Sequence, residues 1–351
     1  MSEKIILADC YPYTYVRVIS MKSKLLSRDD YNKLLKMGFS EISKYLQESE
    51  YKKEINELGM ELKGADLLES ALNKNLITSF DKLWRISPDE LDLLINAYVK
   101  RYDFFNVKTI IRAKFSKLKT EDIKKTILPI GLFSSKHMQK MIDEESINKI
   151  IEICGLLENK KIPQIIQRFK DSSSLLEIEN ALDEAYFNFV FEFSKKIPEE
   201  GQLFKKFLLN EIDVLNIKLL LRLKKANMKH EDIAKHISMY GEELSLSRLK
   251  RLIKADYKGA IKILEKTSFK EIIKRHAPAL ESSKSLVRLE NDLDKYLLKK
   301  SLSLLHQHPL SIDIILGYMF AKEIEVKNLK AIVKGKQLRM DEDFIAGQLI
   351  A

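Results

Sequence analysis

Apolar residues along most of the chain recur at the three- and four-residue spacing of one face of an α-helix. Ser27, Ser134 and Ser245 are each followed by apolar residues four, seven and eight positions later. Serine is a favoured N-cap residue, and this spacing places the apolar side chains on one helical face. Because strand-like alternation does not persist beyond a few residues, the pattern predicts an all-α fold.

One segment occurs three times, at intervals of 110 and 112 residues, over 103–114, 213–224 and 325–336. Each copy has an acid, an asparagine three positions later, and cations five, nine and eleven positions after the acid. Length alone suggests two domains at about 150 residues each. A repeat at this interval indicates three instead. We therefore predict three homologous helical units, over residues 1–125, 126–236 and 237–351.

The repeated acid and asparagine lie beside the apolar arc when the segment is drawn as a helix at about 100° per residue. A polar group in that place must find hydrogen-bond partners inside the fold. We expect a buried structural network rather than a catalytic or metal site. Its predicted members are Asp103, Asn106, Asp213, Asn216, Glu325 and Asn328.

The repeated cations fall on the opposite, polar side of the same helix. Residues 111–120, 221–230 and 331–340 together hold eleven cations and no acid, more than the formal net charge of +10. A solvated helix face accounts for any single cation, but threefold recurrence favours a shared partner surface. We predict a partner-binding basic rim of Arg112, Lys114, Lys119, Arg222, Lys224, Lys229, Lys334 and Lys336.

Sequence motifs of catalysis and metal binding are mostly absent. Gly59 and Gly64 have the glycine spacing of a phosphate loop, but alanine and aspartate follow where Lys and Ser/Thr must hold phosphate and magnesium. His306 and His308 lack the i,i+4 spacing of a zinc pair on one helix. No apolar stretch approaches the roughly 20 residues of a membrane-spanning helix. We expect no active site, cofactor, metal or small-molecule substrate.

Three segments resemble the C subunit of archaeal and bacterial A/V-type rotary ATPases, the relative of the d subunit of eukaryotic V-ATPases. They are Tyr11-Pro12-Tyr13 with Arg17 and residues 21–26, Leu46 with residues 50–55, and residues 101–114. The resemblance extends over almost the whole chain. One departure concerns a glycine expected in the repeated segment: the third copy has Gly335 there, whereas the first has Ala113.

The resemblance implies a funnel-like protein of three similar all-helical domains in a quasi-threefold arrangement, without catalysis of its own. It also implies a central-stalk subunit on the cytoplasmic side of a membrane rotor ring. Such a subunit receives the central shaft and couples ATP synthesis or hydrolysis to proton or sodium transport, with only peripheral membrane contact. The basic charge leaves one alternative, a helical repeat protein that binds nucleic acid. The basic segments, however, lack interleaved aromatic residues for base stacking.

Overall fold

The structure is a computed structural model that describes residues 11–172, 174–197, 202–281, 286–307 and 313–350. Within these ranges the regular secondary structure consists of helices, with no strand. The all-α prediction is therefore confirmed for the described part of the chain. His308 lies outside the described residues.

After an initial helix, α1 (Pro12–Lys22), the same series of six helices occurs three times: three short, two long and one short. The first series is α2 (Arg28–Lys36), α3 (Phe39–Gln47), α4 (Lys52–Leu58), α5 (Gly64–Ile86), α6 (Asp89–Phe115) and α7 (Thr120–Thr126). The second is α8 (Ser135–Asp143), α9 (Ile147–Cys154), α10 (Ile162–Ser172), α11 (Leu176–Ser194), α12 (Gln202–Lys225) and α13 (His230–His236). The third is α14 (Leu246–Lys254), α15 (Tyr257–Leu264), α16 (Lys270–Glu281), α17 (Val287–Gln307), α18 (Asp313–Gln337) and α19 (Glu342–Gln348).

The predicted serine caps begin each series. The hydroxyl oxygens of Ser27, Ser134 and Ser245 each accept a hydrogen bond from the backbone amide three residues later. These bonds satisfy one of the amides that the first helical turn leaves without a partner. The predicted unit boundaries at 125/126 and 236/237 fall at the ends of α7 and α13. Division of the chain into domains there stays a prediction.

The longest helix of each series, α6, α12 or α18, ends in the same turn. The second residue after the helix has a positive φ in all three copies, at Lys117, Asn227 and Arg339, with values of 54°, 55° and 54°. The next amide then donates to the carbonyl five residues back, for example from Leu118 to Ala113. This arrangement is the Schellman motif, which usually places glycine at the left-handed position. The three copies therefore share a turn geometry that their residue types do not reveal.

A short helix of each series packs against the long helix of another series. In the second and third series that partner belongs to the preceding series, and in the first series it belongs to the third. Helix α9 contacts α6, α15 contacts α12, and α2 contacts both α18 and α19. In the last case the contact joins the two ends of the chain. The described residues form a large apolar core, which runs from Val18 to Ile350, and a smaller one around α6 and α8–α11.

Candidate functional site

Three equivalent polar junctions join the long helices α6, α12 and α18 to the segments that follow them. In each junction the asparagine side chain donates to a backbone carbonyl and accepts from the amide of the same residue, which lies 22 positions later. The pairs are Asn106 with Leu128, Asn216 with Ser238, and Asn328 with Ile350. All three asparagines are buried. We call these the first, second and third junctions.

The repeated acid of each junction binds the start of a short-helix series. Asp103 accepts from the amide of Phe133, and Asp213 from the amide of Leu244. Glu325 accepts from the amide of Leu26, at 2.6 Å. In every case the donor is the residue just before the serine cap of α8, α14 or α2. The third junction is therefore completed by the opposite end of the chain.

The three acids differ in their partners. The Lys100 ammonium lies 3.1 Å from the Asp103 carboxylate, and the buried Lys322 ammonium lies 2.7 Å from Glu325. The equivalent position in the second junction is Asn210, whose amide donates to a backbone carbonyl instead. Burial raises the pKa of Asp213 to about 6, although amides of three consecutive residues donate to its carboxylate and oppose that rise.

Both arginines of the predicted rim form ion pairs with acids of the same chain. Arg112 makes a two-pronged ion pair with Glu179 of α11, and Arg222 makes the same pair with Glu290 of α17. Lys334, their equivalent in the third copy, donates to the side chain of Gln337. Lys119 and Lys229 are exposed. A partner-binding role for the rim stays a prediction.

The expectation that Lys114 and Lys224 face solvent is wrong. Both residues are buried, because eleven steps of about 100° place them some 20° from the repeated acid, on the apolar side of the helix and not on the polar side. Lys114 pairs with Glu145 at 2.7 Å, and Lys224 donates to the carbonyl of Ile253 at 2.9 Å. Lys336 likewise donates to a carbonyl at the end of α2. Cations that recur at equivalent positions can thus bind helix ends within the fold. The recurrent basic segments, which motivated the nucleic-acid alternative, therefore support that alternative less.

One equivalent position of the three long helices converges on a single point. Arg101, Glu211 and Glu323 lie two residues before the junction acid in their respective copies. The Arg101 guanidinium makes two hydrogen bonds to Glu211, of 2.6 and 3.1 Å, and lies 3.9 Å from the Glu323 carboxylate. Sequence reasoning missed this cluster because the residue type changes from cation to acid between copies.

Two tyrosines complete the cluster. The hydroxyls of Tyr98 and Tyr102 both donate to the Glu323 carboxylate. The Arg101 guanidinium stacks 3.7 Å from the centre of the Tyr98 ring, a cation–π contact. Burial raises the pKa of Glu323, while Arg101 and the two hydroxyls oppose the rise. The central cluster therefore holds one cation and two carboxyl groups out of bulk water.

A cavity of about 390 Å³ opens beside the central cluster. We call it the central cavity, and all three long helices line it. One turn after the cluster, the equivalent positions are Phe105, Leu215 and Lys327, all exposed. Over 101–110, 211–220 and 323–332 the order of buried, half-buried and exposed positions is identical. The three walls therefore present the same positions to the cavity with different side chains.

Lysines one further turn along the three helices lie opposite acids. Lys108 pairs with Asp183 at 2.5 Å, and Lys218 pairs with Asp294. Asp294 also pairs with Lys327 at 2.8 Å, so two cations share that one carboxylate. The α18 wall therefore presents a lysine that shares its acid with a second lysine.

The described residues hold no group of three or more His, Cys, Asp and Glu side chains that could bind a metal ion. No helix within the described ranges combines the length and the apolar character needed to cross a membrane. The central cavity is lined by apolar and charged side chains, which include the three residues of the charge cluster.

Comparison with known proteins gives a consistent result. A family model described as the ATP synthase (C/AC39) subunit matches residues 14–348. The C subunit of the A-type ATP synthase of Methanosarcina barkeri is 37% identical over 342 residues, which cover 97% of this chain and 92% of that protein. The corresponding protein of Methanocaldococcus jannaschii is 30% identical over 98% of this chain and 87% of its own length. That of Halobacterium salinarum is 29% identical over 97% of both chains.

Proposed function

Since the chain belongs to the ATP synthase (C/AC39) subunit family, we propose that it is a non-catalytic central-stalk subunit of an A/V-type ATPase. In this role it is a socket between the central shaft and the membrane rotor ring. It couples ATP synthesis or hydrolysis to proton or sodium transport by transmitting rotation between the two. It works at the cytoplasmic face of the membrane, as a peripheral member of the complex.

The observation that carries the socket proposal is the meeting of Arg101, Glu211 and Glu323. Three copies of one position can touch only where the copies surround a common line. This convergence supports a quasi-threefold, funnel-like arrangement, with the line running through the central cavity. A cavity on such a line is the place where a rotating shaft would be held coaxially.

The three junctions support the transmission of torque. A coupling part must not yield where its copies meet, and each junction is fixed by buried hydrogen bonds between side chain and backbone. Buried polar groups that are fully paired favour one arrangement, because any slip leaves donors and acceptors without partners. Closure of the third junction by the two chain ends supports a continuous ring of contacts around the cavity.

The proposal is tested by binding to purified shaft subunits from the ATP synthase of the same organism. We expect a complex that coelutes in size-exclusion chromatography.

Introducing Phe105→Glu and Leu215→Glu together should weaken binding at least tenfold, or about 1.4 kcal/mol, because both changes place charge on the apolar cavity walls. Phe115→Glu is the matched control, since Phe115 is 47% exposed and Phe105 46%, but Phe115 does not line the cavity. Equal binding by the cavity variant would contradict the socket.

A further inference from the structure

The central cavity distinguishes its three walls by charge. At the wall position, α6 and α12 present Phe105 and Leu215, whereas α18 presents Lys327. In the cluster below, α6 contributes a cation, and α12 and α18 each contribute a carboxyl group. Each wall thus carries its own pair of residues at these two positions. The pairs are Phe105 with Arg101 on α6, Leu215 with Glu211 on α12, and Lys327 with Glu323 on α18.

These differences matter because a socket with three identical walls would accept a partner equally in three orientations, 120° apart. Nothing in the shared backbone pattern distinguishes the orientations, since the burial order of the three segments is the same. Only side chains can do so. The wall formed by α18 differs most from the others, because its exposed position carries a cation, Lys327, where α6 and α12 carry apolar side chains.

We propose that Phe105, Leu215 and Lys327 act as a key that fixes one rotational orientation of the shaft end in the central cavity. The occupant is a helical shaft end with apolar side chains toward α6 and α12 and a carboxylate toward Lys327. Complementary charge mainly discriminates against wrong arrangements. A carboxylate turned toward Phe105 or Leu215 would lose its hydration and gain no partner. The inference rests on the proposed socket function and adds the residues that determine orientation.

Distance measurements by double electron–electron resonance test the key. Spin labels are placed singly at Glu121→Cys, Glu231→Cys or Asp343→Cys, which are equivalent exposed positions beyond the three long helices and outside the predicted basic rim. Cys10 and Cys154 are replaced by alanine, and one further label is placed on the end of the purified shaft. Since the labelled positions lie outside the cavity, the key itself remains intact in all three samples.

A keyed complex gives one distance in each sample, and the three samples differ. A shaft end that binds in all three orientations gives the same set of distances in every sample, and that result would overturn the proposal. Absence of any complex would instead contradict the socket function. The two failures are therefore distinguishable.

Lys327→Leu then tests the charged element of the key. It leaves an apolar residue at the wall position of all three helices. We expect the preference for one orientation to fall from at least tenfold, which corresponds to about 1.4 kcal/mol, to less than about threefold. Lys299→Leu on the adjacent helix α17 is the control, because Lys299 is exposed and does not line the central cavity. It should leave one distance per sample. An unchanged single distance in Lys327→Leu would overturn the assignment of Lys327 to the key.

Discussion

The second and third junctions hold the same acid position in different ways. Asp213 lies near the amides of the loop between α13 and α14, and three of these amides donate to it. Glu325 receives one amide from the other end of the chain, together with the Tyr51 hydroxyl and the buried Lys322 ammonium. Within the described residues of the second junction, backbone amides alone hold the acid. In the third junction, where the two chain ends meet, a longer acid and a buried countercharge are used instead.

The largest effect is expected from Glu325→Ala. The change leaves the Lys322 ammonium buried without its carboxylate, and breaking a buried ion pair in this way costs about 3–5 kcal/mol. Urea denaturation measures the loss in the free energy of unfolding. The double variant Lys322→Met with Glu325→Gln should recover most of it, because the buried charge is removed while an acceptor for the Leu26 amide remains. A Glu325→Ala protein as stable as the parent would show that the third junction does not depend on this pair.

The next effect concerns pH at the second junction. Burial raises the pKa of Asp213 from its ordinary value of 3.8 to about 6 in the folded state. The folded protein therefore binds this proton more tightly than the unfolded chain does. The free energy of unfolding should fall as pH rises from about 4 to about 6, by at most about 1.4 kcal/mol per pH unit. Above that range the stabilisation from the bound proton is lost.

The contribution of Asp213 is isolated by subtracting the urea denaturation of Asp213→Asn from that of the parent, between about pH 4 and pH 7. We expect the difference to change with pH across the interval in which Asp213 loses its proton. A difference that stays constant with pH would mean that Asp213 keeps an ordinary pKa in the folded protein.

A smaller loss is expected from Asn216→Leu, which removes both hydrogen bonds to the backbone of Ser238. The buried amide and carbonyl left without partners should cost about 1–3 kcal/mol. Asn328→Leu is the matched variant in the third junction, where the bonds to Ile350 hold the last residues of the chain. If thermal melts of both variants coincide with the parent, the asparagines are not needed to hold either junction.

The smallest effect should come from Arg222→Ala, which removes the ion pair to Glu290 near the second junction. The Arg222 side chain is 61% exposed, so solvent screens the pair and the expected loss is less than about 1 kcal/mol. Arg112→Ala, at the equivalent pair in the first copy, should behave alike. A loss comparable to that of Glu325→Ala would show that the exposed pairs contribute as much as the buried one.

Local features of the fold could be predicted from the sequence. The helical class and the serine caps of α2, α8 and α14 depend on residues within one or two turns, and the structure agrees with both. Burial of Lys114 and Lys224 was also available from the sequence, because a helical wheel places both about 20° from the repeated acid, within the apolar arc.

The completion of the third junction by Leu26, by contrast, could not be predicted from the sequence. A repeat shows that copies are related, but which copy supplies a donor depends on tertiary packing. The cluster of Arg101, Glu211 and Glu323 was missed because the repeat was traced through identical residues. A charged residue two positions before each junction acid was the available signal.

Closure of the third junction by opposite ends of the chain also has a consequence for association between molecules. Helix α2 of one molecule has the surface that α18 and α19 of another would need, because these contacts are held without a covalent link. Inside one molecule the tether keeps the two ends at a high effective concentration, which favours closure. When protein is partly unfolded and then concentrated, exchange of α2 between molecules gives domain-swapped dimers or open chains. We therefore expect the covalent link between α2 and α18 within one molecule to favour the monomer at low protein concentration.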